Sequence, residues 1–170
     1  MWYKVLRISA VILFVLLQAW VFNYLTLFKV ATPFVYLFGL MLFPINLSKS
    51  AGTLLGALIG LAVDLLSGTA GIHMAATTLA GFLRPYFLNP LIDAHTNTAL
   101  TPSGKLLKKG LYLMLLLWIG IHHTALLLLD SLSAFAIGFF FLRLIGSILL
   151  SFLILLLLQV FFLDTTPKEN

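Results

Sequence analysis

The side chains that could do chemistry in this chain are ionisable groups set within long apolar stretches: Asp64, His73, Arg84, His122, His123 and Arg143. A charged group is costly in an apolar environment, so such residues normally face the interior of a helical bundle and have a polar partner there. They are therefore the first candidates for acid–base, ion-binding or partner-binding roles.

Their spacing excludes the common kinds of catalytic site. His122 and His123 are adjacent, so on a helix they point about 100° apart and cannot share a metal ion as residues four apart would. An aspartyl intramembrane protease needs two carboxylates at one depth, but Asp64 stands in a helix while Asp93 and Asp130 fall in loops predicted on opposite sides of the bilayer. The chain has no cysteine, and it has none of the nucleotide-binding, serine-hydrolase or metalloprotease motifs. We therefore expect no catalytic residue, no metal and no cofactor, and a protein that is not an enzyme.

The amino-acid composition indicates that these groups lie in a membrane protein. The 170 residues are 62% hydrophobic and 9% charged, against roughly 45–50% and 25% in soluble domains, and the mean hydropathy is +1.13. A net charge of +5 can indicate nucleic-acid binding in a soluble protein. Here the cations lie at the ends of apolar runs, so they indicate membrane topology and no nucleic-acid partner.

Six apolar segments are separated by polar, proline or glycine residues, and we expect an all-α bundle of six membrane spans. The predicted spans are residues 8–28, 33–47, 51–66, 72–92, 110–129 and 135–163. The second is short for a span, so it is expected to be tilted or re-entrant. Residues 1–163 form one transmembrane domain in this interpretation, and residues 164–170 form a polar cytoplasmic tail.

The distribution of cations predicts the orientation, because cytoplasmic loops carry an excess of lysine and arginine. One predicted side carries Lys29, and the other carries Lys4, Arg7, Lys49, Lys105, Lys108, Lys109 and Lys168. Both termini and the long polar connection at residues 93–109 are therefore expected in the cytoplasm. The turns at residues 67–71 and 130–133 are expected outside, and the first span is expected to be an uncleaved anchor.

Glycines at four-residue spacing mark the third span: Gly52, Gly56, Gly60, then Asp64. At 3.6 residues per turn these residues form one stripe, and a stripe of small residues lets another backbone approach closely. The stripe therefore predicts tight packing, either inside the bundle or against a partner helix. Gly68 and Gly71 then predict a tight turn into the fourth span.

Depth limits the possible partners of Asp64. At about 1.5 Å of rise per residue, His73 and Arg143 lie at depths that Asp64 can reach, and so do the free N–H groups at the start of the fourth helix. Asp64, His73 and Arg143 are therefore predicted to form an intramembrane polar lock. Arg84 lies nearer the cytoplasmic side, so Arg84-Pro85 is predicted to be an interface anchor and a kink.

Residues 55–66, which end in Gly-Leu-Ala-Val-Asp-Leu-Leu, and residues 67–76, Ser-Gly-Thr-Ala-Gly-Ile-His-Met-Ala-Ala, resemble the signature of the rod shape-determining MreD family. Gly81-Phe-Leu-Arg-Pro-Tyr86 is similar to its continuation in one branch of that family. The resemblance in detail covers residues 52–89. It implies a non-catalytic component of the elongasome in the bacterial inner membrane. The implied partners are a single-span MreC-like protein and, through it, MreB, RodA and a penicillin-binding transpeptidase of peptidoglycan synthesis.

The same family is similar in fold to the substrate-binding subunits of ECF transporters, which supplies an alternative function. Such a subunit binds a small ligand near the outer face and docks on its energising module through stripes of small residues. A ligand binder needs outer loops that can cover a pocket, whereas the outer turns predicted here are a few residues each. The short turns therefore favour the scaffold.

Overall fold

The computed structural model describes residues 2–132 and 136–164. Its α-helices, in chain order, are α1 Trp2–Leu17, α2 Phe38–Met41, α3 Lys49–Ser67, α4 Ile72–Leu88, α5 Gly104–Leu107, α6 Gly110–Asp130 and α7 Ile137–Leu158. Wider π-helical turns, Gln18–Phe22 and Gln159–Asp164, continue α1 and α7, and 3₁₀ turns form Val35–Leu37 and Asn89–Leu91. The described residues contain no β-strand, so the predicted all-α class is confirmed for that part of the chain.

Four helical stretches are long and apolar enough to cross a membrane: Val5–Phe22, Lys49–Ser67, Gly110–Asp130 and Ile137–Leu163. They correspond to the predicted first, third, fifth and sixth spans. The predicted fourth span is represented by α4, which has 17 residues. Residue 135, residue 133 of the last predicted outer turn, Lys168 and the rest of the tail after residue 164 lie outside the described residues.

The chain reverses sharply between α3 and α4. Ser48 begins α3 by accepting a hydrogen bond from the Ala51 N–H at 3.2 Å, which is a standard N-cap. Gly68 ends α3 with φ +67°, and Gly71 precedes α4 with φ +84°. Both glycines have the left-handed backbone conformation, which is energetically unfavourable for residues other than glycine. The predicted turn at Gly68 and Gly71 is therefore present, and it places α3 and α4 antiparallel.

The predicted second span, residues 33–47, contains two short helical turns instead of one continuous helix. Residues 34–42 are buried inside the bundle, so their free backbone N–H groups need acceptors. Side chains of other elements supply them. Ser151 accepts from the Phe34 N–H at 2.9 Å, and the Gln18 side chain accepts from the Val35 N–H at 2.7 Å. Just before the segment, Ser147 accepts from the Thr32 N–H at 3.0 Å.

The segment runs along the bundle from one end to the other. Near its start, Gln18 donates to the Asn23 side chain, and Asn23 donates to Ser67 at the end of α3. At its other end the backbone N–H groups of Ile45 and Asn46 bond to carbonyls of the long polar connection. The segment thus links the end of α1 to the start of α3 through the protein interior.

Candidate functional site

Asp64 lies at the end of α3, and its carboxylate caps the start of α4. Its Oδ1 accepts hydrogen bonds from the His73 N–H at 3.2 Å and from Thr69 Oγ1 at 2.5 Å, and its Oδ2 accepts from the Met74 N–H at 2.8 Å. His73 Nδ1 lies 3.0 Å from the same Oδ1. Gly71 precedes α4 and has no side chain that could cap the helix, so Asp64 does so from the neighbouring helix.

Burial makes this cap significant. Asp64 is 3% exposed and His73 is 4% exposed, so neither group can exchange its partners for water. A carboxylate is stabilised by the partial positive charge at a helix N-terminus. The cap therefore balances the charge of Asp64 while satisfying two backbone donors of α4.

Arg143 does not join this cluster, and its prediction as a member of the polar lock is corrected here. Its Nη1 lies 2.9 Å from Oδ2 of Asp130, at the C-terminus of α6. Both side chains of that pair are partly exposed, 27% and 38%. The physical reason is that Asp64 already has four donors close by, and the adjacent α6 offers Arg143 a carboxylate of its own. Of the three predicted partners of Asp64, the structure uses His73 and the helix N-terminus.

The glycine stripe packs inside the protein, against the backbone of α4. A Cβ at Gly60 would lie 2.5 Å from the His73 carbonyl oxygen, and one at Gly52 would lie 3.0 Å from that of Gly81. A Cβ at Gly56 would overlap the Thr77 carbonyl oxygen. A side chain at Gly56 or Gly60 would collide with the backbone of α4, and one at Gly52 would be tight, so the glycines permit the close approach of α3 and α4.

The glycines of α3 pack against a stripe of residues on α4 that was not identified from the sequence as an interface. His73, Thr77 and Gly81 face the three glycines and are also four residues apart. Pro85 has no N–H, so the Gly81 carbonyl four residues earlier lacks its usual helical hydrogen bond. That carbonyl faces Gly52 across the contact between α3 and α4. The four-residue spacing on α4 was the signal available in the sequence.

Arg84 is buried, which corrects its predicted role as an interface anchor. It is 4% exposed, and it donates to the Phe43 carbonyl at 2.6 Å and to the Pro44 carbonyl at 3.1 Å. The guanidinium is held inside because these carbonyls, where residues 33–47 leave helical geometry, need donors. Helix α4 continues through Pro85 to Leu88.

A second buried group of polar residues, which we call the polar core, joins α4, α6, α7 and residues 34–36. Tyr36 is its centre: the hydroxyl lies 2.8 Å from His122 Nε2 and 3.1 Å from Thr77 Oγ1. His122 and His123 approach each other through their Nδ1 atoms at 3.2 Å, and His123 Nε2 lies 2.7 Å from Ser151 Oγ. All five of these side chains are fully buried, with 0% exposure.

The polar core accounts for the burial of His122 and His123, because both have hydrogen-bond partners there. The sequence did not predict that these partners would be Tyr36 and Ser151. The rings of His73, His122 and His123 surround the phenyl ring of Phe34, with centroid distances of 6.1, 6.0 and 4.9 Å. An aromatic ring thus occupies the space between them. Among the described residues, no three histidine or carboxylate side chains are grouped to hold a metal ion.

One cavity of appreciable size lies away from these polar groups. It has a volume of about 370 Å³ between α1 and α3, and apolar side chains line it. A much smaller cavity, about 10 Å³, lies beside Arg84 and Trp118, which is about the space of a single water molecule.

Comparison with known proteins adds no relative: no family model, no curated protein and no solved structure matches this chain.

Proposed function

We propose that this protein is a non-catalytic scaffold of the bacterial inner membrane that acts in the elongasome, as the MreD-like residues imply. In this proposal it binds a single-span MreC-like partner and is linked through it to MreB, RodA and a penicillin-binding transpeptidase. Its task is to help couple a cytoplasmic filament to synthesis of the lateral cell wall.

One observation carries the proposal. The residues that resemble the family, 52–89, fall in the α3–α4 hairpin, and the distinctive ones hold its two helices together or bind it to residues 33–47. The glycines touch the α4 backbone, Asp64 caps α4, and Arg84 holds the end of residues 33–47. A motif whose residues hold helices and neighbouring segments together supports a structural role.

The packing of the polar core favours the scaffold over a substrate-binding subunit of an ECF-type transporter. A small-molecule site is concave and has a few polar groups that point into it. Instead, Tyr36 bonds to His122, and Ser151 bonds to His123 and to the Phe34 N–H. Phe34 lies among the histidine rings. The large cavity between α1 and α3 has apolar walls and offers few hydrogen-bonding groups for such a ligand.

We further propose six membrane crossings with both termini in the cytoplasm. The four long apolar helices supply four crossings. Helix α4 supplies another, because it returns alongside α3, and the buried residues 33–47 supply the sixth, because they connect the end of α1 to the start of α3. The excess of lysine and arginine on the predicted inner side supports the orientation.

The experiment that tests the scaffold is a pull-down of the tagged protein from native membranes in mild detergent, with partners identified by mass spectrometry. We expect a single-span protein with a large periplasmic part, together with wall-synthesis or MreB-like proteins. A second multi-span protein, with the same tag and the same expression level, is the control for non-specific capture. Recovery of a transmembrane coupling subunit with two ATPases would overturn the proposal in favour of a transporter subunit.

A further inference from the structure

The cavity between α1 and α3 is a groove that follows the two helices. Its walls run from Ile8 to Leu16 on α1 and from Leu55 to Leu66 on α3, and Phe43 contributes from the buried segment. The helices are in register, because a Cβ at Gly39 would touch both Val11 and Ile59. Ile8 and Leu55 therefore lie at one end of the groove, and Leu16 and Leu66 at the other.

The length of the groove fits one leaflet of a bilayer. At 1.5 Å of rise per residue, the stretch on α1 covers about 12 Å and the stretch on α3 covers about 16 Å. Half of a hydrocarbon core of about 30 Å is about 15 Å. An acyl chain of one leaflet matches this length, whereas a partner helix that crosses the membrane would continue well beyond it.

The groove is open to the membrane and apolar throughout. Ile8, Ile12 and Leu58 line it and are 56%, 54% and 54% exposed. Such a surface gives a hydrocarbon chain contacts along its whole length and offers a polar ligand nothing to bond.

Positive charge lies at one end of the groove. Arg7 directly precedes Ile8 and is four residues before Val11, so it continues the helix face that lines the groove by one turn. Lys4 is four residues before Ile8 in the sequence. The chain has no aspartate or glutamate before Asp64, and Arg7 belongs to neither ion pair of the described residues. An anionic group at this end would meet the guanidinium of Arg7.

We propose that this groove is a binding site for an anionic phospholipid of the leaflet in which α1 begins. One acyl chain lies between α1 and α3, and Arg7 binds the phosphate head group. The site is independent of the scaffold function, since it rests on the groove and its charged end alone.

The test compares lipid binding to the purified full chain by native mass spectrometry and by thermal unfolding in detergent. The probes are phosphatidylglycerol and phosphatidylcholine with identical acyl chains. A charge-assisted contact predicts about tenfold tighter binding of phosphatidylglycerol. In Arg7→Gln the two lipids should bind about equally. Lys29→Gln removes a cation from the connection that follows α1 and its π-helical turn, and it should keep the preference.

A second variant tests the groove itself. Ala62→Phe fills the groove, and we expect it to reduce binding of both lipids several-fold, whereas Leu149→Phe on an exposed face of α7 should not. Equal binding of the two lipids to the original protein would overturn the proposal, and so would a lipid preference that survives Arg7→Gln or unchanged binding in a folded Ala62→Phe protein. Helical content and gel filtration establish that each variant folds, and if Ala62→Phe does not fold, the Arg7→Gln comparison decides.

Discussion

Asp64 acts across a turn instead of along its own helix. The carboxylate sits at the end of α3 and bonds to the first backbone N–H groups of α4, to Thr69 and to His73. All of these donors are within ten residues of it, so the cap requires only the turn between α3 and α4. At the scale of single residues, Asp64 was among the first candidates for chemistry, but its carboxylate oxygens are used in hydrogen bonds that hold α3 to α4.

Replacing Asp64 tests this role directly. In Asp64→Ala two backbone donors at the start of α4 lose their acceptor in a buried place, at a cost of about 1–3 kcal/mol in the free energy of unfolding. Thermal unfolding of the purified protein in detergent measures the loss. Asp93→Ala, at an exposed carboxylate in the long connection, is the control and should stay within about 0.5 kcal/mol. Equal stabilities of the two variants would contradict the capping role.

The hydroxyl of Tyr36 is the second residue to test, because it bridges Thr77 and His122. Tyr36→Phe keeps the ring and removes the bridge, which leaves a buried ring nitrogen of His122 without its partner. We expect a loss of about 1–3 kcal/mol. Tyr24→Phe, at a side chain that is 81% exposed, should leave the unfolding temperature unchanged. A Tyr36→Phe protein as stable as the original would show that the polar core does not depend on this bridge.

At the scale of elements, the α3–α4 hairpin is held by close backbone contact between its two helices. Gly52, Gly56 and Gly60 bring α3 against His73, Thr77 and Gly81 of α4. The same turn that places Asp64 against α4 sets the register of this stripe. The hairpin therefore includes two positions, Gly56 and Gly60, where a single methyl group would collide with backbone atoms of α4.

Gly60→Ala tests the stripe, with Gly120→Ala as a matched control in α6. A Cβ at Gly60 would lie 2.5 Å from both the His73 carbonyl oxygen and the Met74 Cα, whereas one at Gly120 would have no atom within 4 Å. Overpacking should cost Gly60→Ala about 1–3 kcal/mol, and Gly120→Ala should be neutral or more stable because alanine favours a helix. Thermal unfolding of both variants measures the difference, and an equal response would mean that α3 and α4 do not pack as closely as described.

At the scale of the whole molecule, long apolar helices enclose a short irregular segment. Residues 34–42 are buried, while α1 and α7 carry many exposed apolar side chains, among them Ile12, Ile145 and Leu149. In a membrane those side chains face lipid, and the polar backbone of the segment is protected from it. This division follows from the rule that backbone polar groups within a bilayer must find partners inside the protein.

The proposed topology can be measured without background, because the chain has no cysteine. Ala70 lies in the turn between α3 and α4, Ala94 lies in the long polar connection, and both are exposed. We expect Ala70→Cys to react with a membrane-impermeant maleimide added to intact spheroplasts, and Ala94→Cys to react after the membrane is permeabilised. Labelling of both from the same side would exclude the proposed arrangement.

Sequence alone determined the features that depend on local pattern. Apolar length predicted the long helices, and the four-residue spacing of Gly52, Gly56 and Gly60 predicted a close helix contact. Glycines at 68 and 71 predicted the turn, and depth placed His73 within reach of Asp64. These inferences succeeded because their causes lie within one helix or between two consecutive helices.

Tertiary structure decided the pairings between distant parts of the chain. The acceptors for the backbone of residues 32–35 come from side chains 17, 115 and 117 residues away, and Arg84 finds its carbonyls 40 and 41 residues away. Helix packing also determines that Arg143 pairs with Asp130 and not with Asp64. It likewise brings His122 to Tyr36 and His123 to Ser151. Local pattern carries no information on such choices, because each buried polar group takes whichever partner the packed helices bring within hydrogen-bonding distance.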